Sequence, residues 1–187
     1  MSKVRIDSNA FTYPMPMTLV GAMVNNRPNF LAVAWVPRVN YKPPLMAVAL
    51  GKTHFTSPGI HANNAFSLNI PGVDLMEKTD YCGIVSGDKK DKSGLFTVFK
   101  GEVTGAPMIE ECRLCMECRL VQTVDLAADE LFIGEIVGAY ADEGCLSAGK
   151  PDVKKLDPFM LTMPDNRYWR VGENIGKAWS AGKKVEA

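Results

Sequence analysis

Histidine is almost missing from this chain: only His54 and His61 occur in 187 residues. A metal site of two or three imidazoles, or a relay of several histidines, has almost nothing to draw on. Net charge is missing too, because 21 Lys and Arg balance 21 Asp and Glu. The whole chain therefore exerts no general attraction on nucleic acid or an anionic membrane. No apolar run approaches the roughly 18 residues of a membrane-spanning helix. The opening Met1-Ser2-Lys3-Val4-Arg5-Ile6-Asp7 lacks the apolar core of a secretory signal. Neither Gly-x-Gly-x-x-Gly nor Gly-x-x-x-x-Gly-Lys-[Ser/Thr] is present, which excludes a Rossmann site and an NTPase cradle.

What is present describes an ordinary globular chain, 47% apolar and 22% charged. Its length fits one domain, residues 1–187, large enough to fold without a disulfide or metal staple. The cysteines number five, an odd count with no export signal ahead of them. Free thiols in a reducing cytoplasm are the expectation.

Pro, Gly and Asn punctuate apolar stretches of strand length. Met17 to Val24 is followed by the turn cluster Asn25 to Asn29, then by the apolar run Phe30 to Val36, which Pro37 ends. Leu45 to Leu50 is a second continuous run, and such runs fit strands buried on both faces. Thr56-Ser57-Pro58 predicts a helix start, with a short helix over 60–64, and Ala65 to Ile70 alternates as a strand. Asp74 to Asp80 is expected to be helical, and Asp88 to Gly94 a charged loop. Cys112 to Val124 and Phe132 to Tyr140 read as long strands. Gly149 to Pro164 reads as loop, and Gly172 to Ala181 as a short helix or turn. About seven strands with few helices favour a small antiparallel barrel.

Three segments carry candidate chemistry. Gly51 to Thr56 offers the Lys52 cation, the Thr53 and Thr56 hydroxyls and a following helix start, the parts of a phosphate site. The same residues also make an ordinary strand-to-helix loop with a capping Thr. In Asp80 to Lys92, small residues at Gly83, Ser86 and Gly87 permit close approach to a flat ligand, and Lys92 offers a donor. Cys82 there is a lone thiol, which reads as a small packed residue. The third segment, Cys112-Arg113-Leu114-Cys115-Met116-Glu117-Cys118, mimics a metal or iron–sulfur motif. On a strand, however, Cys115 faces away from Cys112 and Cys118, so no metal site is expected. Trp35, at the end of a buried run, reads as core. Neither histidine belongs to a catalytic triad, and no catalytic side chain is assigned.

Taken in order, these segments resemble the flavin reductase-like family, the FMN-binding split barrels, and within it the flavoredoxin branch. The resemblance rests on Asn29 to Trp35 with Pro43-Pro44-Leu45, on Lys52 to Thr56, and on Phe66 to Pro71. It continues through Asp80 to Gly83 with Ser86-Gly87 and Asp91-Lys92, and ends at Gly172 to Trp179. It implies a mainly β fold, a six-stranded antiparallel Greek-key split barrel with a few short helices, and a homodimer holding FMN. By the same resemblance, the backbone of Val33, Ala34, Trp35 and Val36 borders the flavin ring, with Asn29 nearby. Lys52, Thr53, His54, Phe55 and Thr56 hold the phosphate. Asn69, Cys82, Gly83, Ser86, Asp91 and Lys92 close around the ring and ribityl chain. Cys112 and Cys115 depart from the family pattern.

A flavin does its own electron chemistry, so the protein need supply only binding and electrostatics. The donor would be NAD(P)H or a ferredoxin-like protein. A non-enzymatic flavin-binding or partner-binding barrel module is the alternative reading, and a bare interaction barrel a third. Charge is also unevenly spread. Residues 1–101 carry 11 basic and 6 acidic groups, whereas residues 102–143 carry 2 and 10.

Overall fold

In the computed structural model, which describes residues 1–185, Asn25 and Asn26 make a tight turn with φ of 49° and 61°. Two left-handed residues give the turn whose twist suits a two-residue hairpin, and Asn tolerates that region. The turn joins β1 (Thr18–Val24) to β2 (Arg27–Val33), with Val24 opposite Arg27. Four more long strands follow: β3 (Leu45–Gly51), β4 (Ala65–Ile70), β5 (Leu114–Asp125) and β6 (Asp129–Ala141). All neighbours are antiparallel, in the order β2-β1-β4-β5-β6-β3, and the short strand Arg38–Asn40 lies beyond β3.

The sheet closes just past β2. There the Trp35 carbonyl accepts from Ala49 N–H at 3.2 Å, and the Pro37 carbonyl accepts from Ala47 N–H at 2.9 Å. Register shifts between Ile133 and Gly134, and between Ile136 and Gly138, interrupt the β5–β6 pairing. Such bulges increase local twist and help a sheet to curl. The result is the mainly β barrel expected, with six long strands and a short seventh.

All six strands point side chains into one apolar cluster that includes Val20, Leu31, Val48, Phe66, Cys118 and Phe132. A second cluster lies on the barrel's outer side, where Leu19, Phe30 and Cys115 meet Phe96, Met108 and Cys112. Adjacent residues such as Leu19 and Val20, or Phe30 and Leu31, thus bury opposite faces of one strand. That double burial produces the continuous apolar runs in the sequence. Two helices cover the barrel: α1 (Ser57–Asn63) packs on β1 and β4, and α2 (Met76–Ile84) packs on β2. Among the described residues, no helix is long and apolar enough to cross a membrane.

Several boundaries differ from expectation. The strand expected over Phe30–Val36 begins at Arg27 and stops at Val33, where the chain departs to close the barrel. The helix expected over Asp74–Asp80 is a 3-10 turn at Val73–Leu75 followed by α2, which takes in Cys82 and Gly83. Gly149–Pro164 is not all loop. It holds the short strand Lys150–Pro151, the one-turn helix α3 (Val153–Leu156) and the strand Phe159–Thr162, which is hemmed in by Pro158 and Pro164. Of the short helix or turn expected over Gly172–Ala181, the turn forms at 178–180 and no helix precedes it, and Ala181 opens a single 3-10 turn. Two glycines, with Ile175 and Trp179 fully solvated, leave little burial to stabilise a helix there.

Cys112 also differs: it lies in a turn ahead of β5, which starts at Leu114. It therefore shares the outer cluster with Cys115, and only Cys118 points into the barrel.

Candidate functional site

Two adjoining clefts open where the first part of β2, the loop before α1 and the loop after α2 converge. The smaller, about 150 Å³, is walled by Asn29 and Leu31 from β2, His54 to Thr56, and the chain from Gly83 to Gly87. The larger, about 420 Å³, shares Asn29, Phe55, Gly87 and Lys92 with it and extends past Arg27, Lys89 and Lys90.

The shared wall is tightly built. Asn29 donates its side-chain N–H to the Thr56 hydroxyl at 2.9 Å, both residues being buried. Gly87 lies against this pair: a Cβ there would collide with Asn29 Oδ1 and come within 2.8 Å of Phe55. Only glycine lets the loop approach so closely. Next along the chain, Ser57 keeps a buried hydroxyl with no partner among the described residues.

Lys92 stands behind this wall. Only 2% exposed, it donates to the carbonyls of Phe30 at 2.7 Å, Val85 at 2.9 Å and Cys82 at 3.2 Å. An ammonium has three hydrogens, and all three are engaged. Burial lowers its pKa, a shift that the Cys82 thiol opposes. Cys82 itself is buried, and burial raises its pKa against the pull of Lys92. Asp91, on the same loop, is held below its ordinary value by the Ser93 N–H, with Arg27 at 3.3 Å adding to the effect.

The sixteen residues singled out in the sequence therefore divide. Asn29, His54, Phe55, Thr56, Gly83, Ser86, Asp91 and Lys92 line one cleft or the other. Val33 ends β2 and Ala34 to Val36 follow it, all four outside both linings. Their carbonyls are largely engaged: Val33 accepts from the Thr18 hydroxyl, Ala34 from Val36 N–H and Trp35 from Ala49 N–H. Trp35 is 43% exposed, against its reading as core.

Lys52 forms an ion pair with Asp125 at 2.6 Å, and with Thr53 it stands apart from both linings. Asn69 is fully buried and satisfied by Leu19, Ser67 and Ile109. Cys82 belongs to the outer apolar cluster. Lys89 and Lys90 lie in the Asp80 to Lys92 segment and Leu31 in the Asn29 to Trp35 segment, whereas Arg27 carries no role in the sequence reading. Nothing local in the sequence marks Arg27, because its place beside Lys89 and Lys90 is made only by the fold.

This fold has known counterparts. Residues 10–163 match the model of the flavin reductase like domain family. The chain belongs to that family. It is 52% identical to a flavoredoxin from Methanosarcina acetivorans, covering 98% of each chain with a TM-score of 0.96. A flavoredoxin of Desulfovibrio vulgaris (Miyazaki F) is 36% identical, with 97% of this chain and 100% of that one covered and a TM-score of 0.91. An FMN-binding protein from Thermus thermophilus shares the fold at 24% identity and a TM-score of 0.79, over 95% of this chain and 97% of that one. Within the family, the flavoredoxin branch is the one this chain resembles.

The five cysteines are all free and buried. Among the described residues, no group of three or more His, Cys, Asp or Glu side chains is placed to hold a metal.

Proposed function

We propose that this chain is an FMN-binding redox protein of the flavoredoxin type, passing electrons from NAD(P)H or a ferredoxin-like protein to an acceptor. The observation that carries the reading is the double cleft at Asn29, Thr56 and Gly87, in a chain 52% identical to a flavoredoxin along nearly its whole length. When bound, the flavin supplies the hydride or single-electron chemistry.

The residues present fit such a group. The larger cleft falls within the roughly 300–1,000 Å³ common for cofactor sites. Gly87 keeps the wall thin enough for a flat ring, and the orphan hydroxyl of Ser57 lies beside Thr56.

In this reading His54 to Thr56, with Lys52 and Thr53, hold the phosphate. The carbonyls of Val33, Ala34 and Trp35 are occupied, and the N–H groups of Ala34 and Trp35 would be the backbone donors offered to the ring. Asn29, Gly83, Ser86 and Asp91 border the ligand. Lys92, Asn69 and Cys82 support the wall from behind. No side chain acts as acid or base.

A homodimer completes the proposal. Trp35, Val39 and Tyr41 are exposed on the strand-to-strand connection beside the barrel closure, apolar surface that a second copy would cover. Five free cysteines support a reducing compartment, the cytoplasm.

Rapid anaerobic mixing tests the donor. Bleaching of bound flavin by NADH or NADPH assigns a direct reductase. Bleaching by reduced ferredoxin alone assigns an electron carrier, and no bleaching by any of the three contradicts the redox reading.

A further inference from the structure

Cys112 and Cys115 play no part in the cleft, yet the fold brings them together. Cys112 sits in the turn that follows the short strand Pro107–Ile109, with its N–H donating to Ile109 O at 3.2 Å. The Cys115 thiol donates to the carbonyls of Ile109 and Cys112, each at 3.4 Å, so its sulfur lies over the backbone of its partner cysteine. Both line one pocket of about 340 Å³ with Phe99, Tyr140 and Asp142. The other cysteines are placed differently. Cys118 faces the barrel interior, Cys82 lies beneath Lys92, and Cys145 is held near Lys155 O.

We propose that Cys112 and Cys115 are a reversible dithiol pair that closes to an intramolecular disulfide when a small disulfide-bearing molecule enters this pocket. Cys112, 4% exposed against 1% for Cys115, reacts first. Having lost its proton, its sulfur attacks one sulfur of the incoming disulfide, breaking that S–S bond and releasing one thiol. The Cys115 sulfur then gives up its proton and attacks the Cys112 sulfur, releasing the second thiol. Two S–H bonds are exchanged for one S–S bond, and the incoming disulfide takes up two electrons and two protons. Burial holds the Cys115 thiol up at about 12 and raises Cys112 further, so closure is slow beside that of an exposed pair. The inference does not depend on the flavin.

The test treats the native, as-purified protein with oxidised glutathione or with diamide, a two-electron thiol oxidant reduced to its hydrazine. Remaining thiols are then alkylated in acid denaturant and the chain is digested with trypsin without reduction. Arg113 lies between the two cysteines, so cleavage separates them unless a disulfide joins the peptides. The expected product is a cross-linked pair, with fragmentation placing the bond on Cys115 rather than Cys118, reversed by reductant. Cys82, Cys118 and Cys145 remain alkylatable. Thiols that stay reduced until the protein unfolds, a stable glutathione adduct without closure, or a bond to any other cysteine would overturn the proposal.

Discussion

Glu117 is the most completely enclosed carboxylate described, 0% exposed on β5. The loop after Gly101 folds over it, so that the N–H groups of Val103, Thr104 and Gly105 and the Thr104 hydroxyl all donate to its oxygens. Burial raises its pKa, but these donors outweigh burial and hold it below the ordinary 4.5. A carboxylate lowered on folding contributes its full stabilisation above the ordinary value, and loses it as pH falls through the folded value. Glu117→Gln is expected to cost about 1–2 kcal/mol at neutral pH. It should also flatten the acid limb of stability against pH, as measured by urea unfolding across that range.

Lys92→Met leaves three buried carbonyls without a donor and should cost about 1.5–3 kcal/mol or more. Flavin affinity should then fall because the wall loosens, and a stability change with unaltered affinity would separate wall from site. Gly87→Ala drives a methyl into Asn29 and Phe55. It is expected to weaken flavin retention by tenfold or more while leaving the barrel's circular dichroism unchanged.

Among the elements, strands were the most legible. Leu45 to Leu50 is legible because barrel strands bury both faces, and Ala65 to Ile70 because its residues alternate; of the turn cluster Asn25 to Asn29 only Asn25-Asn26 turns, and Arg27 to Asn29 already belong to β2. Phe159–Thr162 was hidden because four residues between prolines carry no periodicity, and their pairing with Met15–Pro16 is remote in sequence. The Lys92 cage was equally invisible, since its three carbonyls belong to β2, α2 and the loop after α2. The cysteine motif misled for a related reason: strand alternation was extended two residues too far, across a turn.

The loop from Lys52 to Thr56 carries the element-scale prediction. Lys52→Ala should weaken FMN binding by about 1.5–3 kcal/mol if the lysine leaves Asp125 to contact phosphate. Equal affinity in variant and parent, by flavin titration, would confine Lys52 to its ion pair with Asp125 and overturn its place in the phosphate site.

For the whole molecule, zero net charge conceals a division that follows the fold. Most acidic residues between 102 and 143 lie on or beside the β5–β6 hairpin, whereas the clefts draw their side chains from the basic first half. The Lys52 loop is the exception, since it lies against this hairpin through the Lys52–Asp125 ion pair. The shortage of histidine fits the same account, because the chain is asked to bind and orient a redox group rather than to move protons itself.

The central claim is that this barrel holds FMN and lets electrons through it. The most direct measurement is the visible spectrum of the purified, gel-filtered protein under anaerobic conditions, before and after addition of NADH, NADPH or reduced ferredoxin, and again after an acceptor is admitted. The account predicts close to one FMN per chain, bleached by at least one donor and restored by the acceptor. A colourless protein that fails to bind added FMN, or a bound flavin that none of the three donors bleaches, would contradict it.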